Sequence, residues 1–157
     1  MRYKIFFIDF DGVFTDNKVH IDVQGNEYVS CNRSDGIGIS ALKNSGVECI
    51  IVSTEKVPLC QLRAKKLDIP CYYSVPNKET AIKQILSEKG IDSSQSVFLG
   101  NDINDLSAFN AVNLRLAVAD SHYKILNAAD YILSKPGGHG AVREAADFIK
   151  FCNTKFS

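Results

Sequence analysis

The chain has 157 residues, 45% of them apolar and 23% charged. That is enough for one domain, spanning residues 1–157, with a core that needs neither disulfides nor a structural metal. Lysine plus arginine and aspartate plus glutamate number 18 each, so there is no positive field of the kind that holds nucleic acid or an anionic membrane, and a small molecule or a protein is the expected partner.

The five cysteines, Cys31, Cys49, Cys60, Cys71 and Cys152, have no C-x-x-C spacing and sit largely in apolar runs, which predicts thiols kept reduced. The apolar run at the start of the chain stops at Asp9, far short of a signal peptide core or a membrane span. The expectation is a cytoplasmic protein.

In chain order, Lys4 to Ile8 reads as a strand buried on both faces. Lys18 to Asp22 and Glu27 to Cys31 flank the sequence VQGN, where Gly25-Asn26 suits a tight hairpin turn. Glu48 to Val52 is the next apolar strand, and Pro58 is placed to start a helix through Leu67. Cys71 to Tyr73 follows as a strand, then a helix whose Ala81, Ile82, Ile85 and Leu86 share a face. Val97 to Leu99 and Leu114 to Val118 are further strands, and Val142, Ala145, Ala146 and Ile149 form the stripe of a final helix. Strands alternating with helices predict an α/β, Rossmann-like αβα sandwich with a mostly parallel central sheet and a projecting hairpin. Ligands of such sheets sit at the carboxyl ends of the strands.

The groups that carry chemistry fall at those ends. The run FFIDFDGVFTDN ends the first strand in Asp9 and Asp11. Side chains two apart on a strand share a face, so the two carboxylates converge, and their repulsion calls for a cation or a proton between them. A hard, oxygen-seeking ion such as magnesium fits. Ser53 and Thr54 follow the second parallel strand with hydroxyls for a phosphate oxygen. Lys78 opens the helix after the third, where its ammonium can neutralise phosphate and nucleophile together. Gly100, Asn101, Asp102 and Asp105 end the fourth and supply a second set of oxygen ligands. Taken singly, each residue also suits a helix cap, a first-turn acid or a solvated lysine; their order along the chain is what favours a site.

The order D-x-D-G-V-x-T-D, then Ser or Thr, then Lys, then G-[D/N]-D-x-x-D resembles the haloacid dehalogenase superfamily of phosphohydrolases. The segments RSDGIGISALKNSGVECIIVST, NDINDLSAF, AVAD and GGHGAVRE resemble its capless branch, which acts on phosphorylated 2-keto-3-deoxy sugar acids and includes a phosphatase-like module of acylneuraminate cytidylyltransferases. The resemblance implies that Asp9 is a nucleophile forming an aspartyl phosphate and that Asp11 is the general acid and base. It also implies magnesium held by Asp9, Asp11 and the Gly100 to Asp102 loop, with Asn101 where the family has aspartate. Glu55 and Lys66 match a pair near the sugar in the nine-carbon branch, favouring a nonulosonate 9-phosphate, a sialic-acid-type precursor, over octulosonate 8-phosphate. His139 stands where relatives often have arginine and reads as an exposed loop residue, while His20 and His122 read as surface or cap positions.

The gaps between motifs leave no room for a cap domain. An open site weakens electrostatics, so a cover is expected from the hairpin near Val19 to Val29 reaching over a neighbouring subunit's site, and the resemblance implies a homotetramer. The alternative is a weakly catalytic module that assembles with a cytidylyltransferase. A receiver domain also pairs acids with lysine and magnesium, but its acceptor aspartate ends the third strand rather than the first.

Overall fold

The computed structural model describes residues 2–56 and 59–155. Strand β1 (Ile5–Ile8) is buried along its whole length. It lies at the centre of a six-stranded sheet with β4 (Glu48–Val52), β5 (Cys71–Tyr72), β6 (Ser96–Gly100), β7 (Leu114–Ala117) and β8 (Tyr131–Ile132), in the order β5-β4-β1-β6-β7-β8. Every pairing in this sheet is parallel. Strand β8 has no counterpart in the reading above, because its two exposed residues show no hydrophobic period.

The strict alternation of a strand divides the core in two. Phe6, Ile8, Cys49, Ile51, Val97 and Leu99 face one side, where α1 (Arg33–Asn44), α2 (Leu59–Leu67) and α6 (Ala141–Lys155) cover them with Ile39, Leu42, Ala64, Val142 and Ala145. Ile5, Phe7, Ile50, Val52 and Phe98 face the other side, against α3 (Lys78–Lys89), α4 (Leu106–Phe109) and α5 (Tyr123–Ala128) through Ile82, Ile85, Phe109 and Ile125. Both halves of the expected three-layer sandwich are therefore present. Full burial of a side chain such as Phe7 contributes about 1.5–3 kcal/mol. Helices α1 and α6 approach closely at Gly38, where an added Cβ would come within 3.0 Å of both Ala146 Cβ and Arg143 Cα.

The helix starts are capped as their sequences suggest. Asn32 accepts from Ser34 N–H, and Asn77 from Thr80 N–H. Gly90 ends α3 at φ 62. The expected helix start at Pro58 lies outside the described residues, and the helix is seen from Leu59 onward.

The hairpin forms, but shorter in its strands and longer in its turn than expected. Strands β2 (His20–Ile21) and β3 (Glu27–Tyr28) pair antiparallel with Ile21 opposite Glu27, so the loop runs from Asp22 to Asn26. The Asp22 carboxylate organises it, accepting from Gln24 N–H, Asn26 N–H, Asn26 Nδ2 and the Tyr28 hydroxyl. Gly25 takes φ +83, as that turn requires. A bridge between Thr15 and Cys31 closes the hairpin's base. Between β1 and β4 stand only this hairpin and α1, and between β4 and β5 only α2, so no cap domain occurs among the described residues. No helix among them is long and apolar enough to cross a membrane.

Candidate active site

The carboxyl ends of β1, β4 and β6 meet over one cavity. Its lining includes Asp9 and Asp11 after β1, Ser53, Thr54 and Glu55 after β4, and Asn101 and Asp102 after β6, with Asn17 and Asn104 at the rim. Backbone register sets this convergence: Asp9 N–H bonds Leu99 C=O at 3.0 Å and Ser53 N–H bonds Tyr72 C=O at 2.8 Å, extending the parallel ladders past the strands.

Lys78 is the pivot. Its side chain is fully buried, and Nζ lies 2.6 Å from Asp9 Oδ1 and 2.6 Å from Asp105 Oδ1. Asp105 turns its other oxygen to the N–H groups of Asn101 at 2.9 Å and Asp102 at 3.3 Å. This corrects the expectation for Asp105, which is a buried counter-ion fastening the lysine to the β6 loop and is not available as an oxygen ligand. The lack of a Cβ at Gly100 makes this possible, since one there would lie 2.6 Å from Asp105 Oδ2.

Burial pushes the Asp9 carboxyl up to about 7; the Asp105 charge adds to this and Lys78 opposes it. Burial alone would lower Lys78, but the two carboxylates outweigh it and hold the ammonium above its usual value. Asp11 is also raised, by burial first and then by Glu55, against the pull of Lys78 and with a further push from Glu27. A carboxyl raised in this way can carry a proton to a leaving group.

The oxygen-rich side of the cavity fits a hard cation. Asn101 is only 8% exposed, and its Oδ1 has no hydrogen-bond partner among the described residues. A buried acceptor without a donor costs about 1–3 kcal/mol, which a bound cation would offset. Gly12, at φ +79, admits the Asn101 side chain: a Cβ there would sit 1.9 Å from Asn101 Nδ2. The Asp102 Oδ1 accepts from Ile103 N–H at 2.7 Å and caps the following turn, so that oxygen is committed to the backbone. Among the described residues no three His, Cys, Asp or Glu side chains cluster as a ligand set. The donors available are instead carboxylates of the first strand, an amide oxygen and main-chain carbonyls, which is chemistry suited to magnesium.

Ser53 is 1% exposed, and its Oγ accepts from Glu55 N–H at 3.2 Å. Its hydroxyl proton is thereby left for an anion in the cavity. Thr54 Oγ1 accepts from Asn104 Nδ2 at 3.1 Å, linking the β4 and β6 loops. Lys66 does not join this group. It lines a neighbouring groove with Glu27, Tyr28 and Arg63. His139 is exposed with Nδ1 2.8 Å from Gly137 C=O, and His122 caps α5. Sequence reasoning passed over Asn17, Asn104 and Glu27; the first two adjoin the recognised motifs, whereas Glu27 reaches the site only because the hairpin folds back.

Beside this cavity of about 140 Å³ lies a second of about 230 Å³ that shares Asp11, Asn17 and Glu55 and adds Phe10, Val19, Glu27, Val29, Leu59 and Cys60.

A sheet of this order with its nucleophile candidate on the central strand, a lysine and a paired acidic loop is the arrangement of a haloacid dehalogenase-like hydrolase, and that family matches residues 74–144. The chain belongs to this family and is a phosphoric monoester hydrolase of its capless branch. It is 35% identical over 147 residues to 3-deoxy-D-manno-octulosonate 8-phosphate phosphatase KdsC of Haemophilus influenzae, covering 93% of this chain and 82% of that one. The cobalt-bound structure of the Haemophilus influenzae phosphatase superposes with a TM-score of 0.92 at 34% identity, over 98% of this chain and 91% of that one. The Moraxella catarrhalis phosphatase, solved with magnesium, phosphate and KDO, gives 0.93 at 30% identity, over 99% and 90%.

Proposed function

We propose that the chain hydrolyses the phosphate ester of a 3-deoxy-2-keto sugar acid, with Asp9 as nucleophile and Asp11 as acid and base. The observation that carries this is the Asp9 carboxylate, 4% exposed and held through one oxygen by Lys78, beside the raised carboxyl of Asp11. A carboxylate oxygen of Asp9 bonds to phosphorus as the ester bond breaks, and the departing sugar oxygen takes the Asp11 proton. Asp11, now a carboxylate, accepts a proton from the water that attacks the aspartyl phosphate and releases inorganic phosphate. Ser53 and Thr54 hold the phosphoryl oxygens, and Lys78, buried between Asp9 and Asp105, balances the charge of the nucleophile. Asp9, the Asp11 carbonyl and Asn101 would hold a magnesium ion, with Asp102 positioning their loop; the ion offsets negative charge on the phosphoryl group.

The relatives are named for the eight-carbon ester. The nine-carbon ester is the substrate proposed here, because Glu55 offers a hydrogen-bond acceptor where the larger cavity adjoins Asp11, suited to the hydroxyl and acylamino groups of a longer sugar. Lys66, in the neighbouring groove, would reach only an extended substrate. A homotetramer is proposed on the hairpin, whose Ile21 is 68% and Val23 97% exposed: two bare apolar side chains on a projecting arm are suited to burial against another copy.

The test is phosphate release from both sugar-acid phosphates with magnesium, comparing the natural chain with Asp9→Asn. Loss of turnover by at least about a thousandfold is expected. Equal rates would end the enzymatic reading and favour the assembly module, and a higher kcat/KM for the eight-carbon ester would overturn the substrate choice.

A further inference from the structure

Two cysteines outside the catalytic machinery meet. Cys60 lies in the first turn of α2 and Cys71 opens β5, and their sulfurs are 3.4 Å apart with both thiols free. No other pair of cysteines among the described residues makes such a contact. The approach is set by packed elements: Cys71 pairs with Ile51 of β4, while Cys60 is 1% exposed and packs in the core beneath α2. A disulfide needs the sulfurs to close to about 2.05 Å, a movement of little more than 1 Å that side-chain rotation and a small shift of the first helical turn can supply.

We propose that Cys60 and Cys71 form a reversible disulfide within the folded chain when it meets a two-electron oxidant such as hydrogen peroxide. A small oxidant approaches through the cavity that holds Asp11 and Glu55, whose wall includes the otherwise buried Cys60, and Cys71 is half-buried. The roles of the two thiols differ. The Cys71 S–H donated to Cys60 lowers the Cys60 pKa against the opposing effect of burial, and the same bond raises Cys71. The Cys60 sulfur, which faces the cavity wall beside Asp11 and Glu55, is the first nucleophile. Its sulfur bonds to one peroxide oxygen as the O–O bond breaks, and the departing hydroxide leaves as water with the thiol's proton. The resulting sulfenic acid is attacked by the Cys71 sulfur: the S–S bond forms, the S–O bond breaks, and a second water leaves with the Cys71 proton. Two thiols are oxidised and one peroxide is reduced to two waters.

The inference stands apart from the phosphatase reading, because its readout is thiol chemistry rather than turnover. The reduced full-length protein is treated with graded hydrogen peroxide, quenched with an alkylating reagent and mapped by mass spectrometry. The expected result is a monomer mass about 2 Da lower before alkylation, loss of two of the five alkylatable cysteines, a peptide joining Cys60 to Cys71, and full recovery with dithiothreitol. In Cys71→Ser, the Cys60 sulfenic acid is expected to persist and to react with dimedone. Bridges involving Cys31, Cys49 or Cys152, bridges only between chains, or irreversible oxidation of Cys60 in the natural sequence would each overturn the proposal.

Discussion

Replacing Lys78 by methionine keeps an unbranched apolar stem of four heavy atoms and deletes the ammonium between Asp9 and Asp105. Both ion pairs are 2.6 Å long, and the three side chains are between 0% and 5% exposed, so water cannot replace the ammonium. Breaking a buried pair of this kind costs about 3–5 kcal/mol. At about 2–4 °C per kcal/mol for a domain of this size, the melting temperature of Lys78→Met should fall by roughly 6–20 °C when measured in EDTA, where no divalent ion masks the loss. The second variant is Asp105→Asn, whose Oδ1 can still accept from Asn101 and Asp102 while its amide faces the position of the lysine. If the cost arises from stranded negative charge, the double variant should be more stable than the sum of the single losses by about 1–3 kcal/mol. Additivity within about 0.5 kcal/mol would refute the reasoning and leave lost packing against Phe98, whose ring centre is 5.5 Å from Lys78 Nζ, as the explanation.

Asn101→Asp should tighten magnesium binding roughly tenfold by titration calorimetry, because a charged oxygen replaces a neutral one; unchanged affinity would remove Asn101 from the ligand set. Asp35, wholly buried on α1, caps α6 by accepting from Arg143 N–H at 3.0 Å while its Oδ2 has no partner. Burial raises it from 3.8 to about 6, against the Arg143 hydrogen bond and the Arg63 charge. A carboxyl with a raised folded pKa contributes stability that is complete below pH 3.8 and is lost as pH rises through about 6. Asp35→Asn should therefore be more stable than the natural chain at pH 7.5, by at most about 3 kcal/mol, with the gap closing toward pH 4; thermal melts across that range check it, and a gap independent of pH would contradict it. For the proposed homotetramer, Ile21→Asp combined with Val23→Asp should give monomers by light scattering without lowering the melting temperature of the monomer's core, since neither side chain packs inside it; a mass unaffected by the pair would refute a tetramer held by the hairpin.

Composition and period sufficed for the layers of this protein and for the residues at the ends of its strands. Buried strands read as short β-branched and aromatic runs, and the carboxyl-end rule then places Asp9, Ser53, Lys78 and Asn101 in one region. What sequence spacing could not supply is partnership. Asp105 looks like Asp102 in the run NDIND, yet one is a buried counter-ion of Lys78 and the other a half-exposed cap; only the packing of α3 against β6 distinguishes them. Glu27 belongs to the hairpin by its neighbours in the chain and to the cavity by the fold, and Lys66, one helix along from Glu55, falls into a different groove. The contact between Cys60 and Cys71 is likewise invisible in a spacing of eleven residues, because it depends on how α2 lies across β4 and β5. Local pattern determines which groups reach the end of a strand. Which of them touch is decided by the crossing of elements distant in sequence, and with it which charges are shared, which acceptors are left bare and which thiols meet.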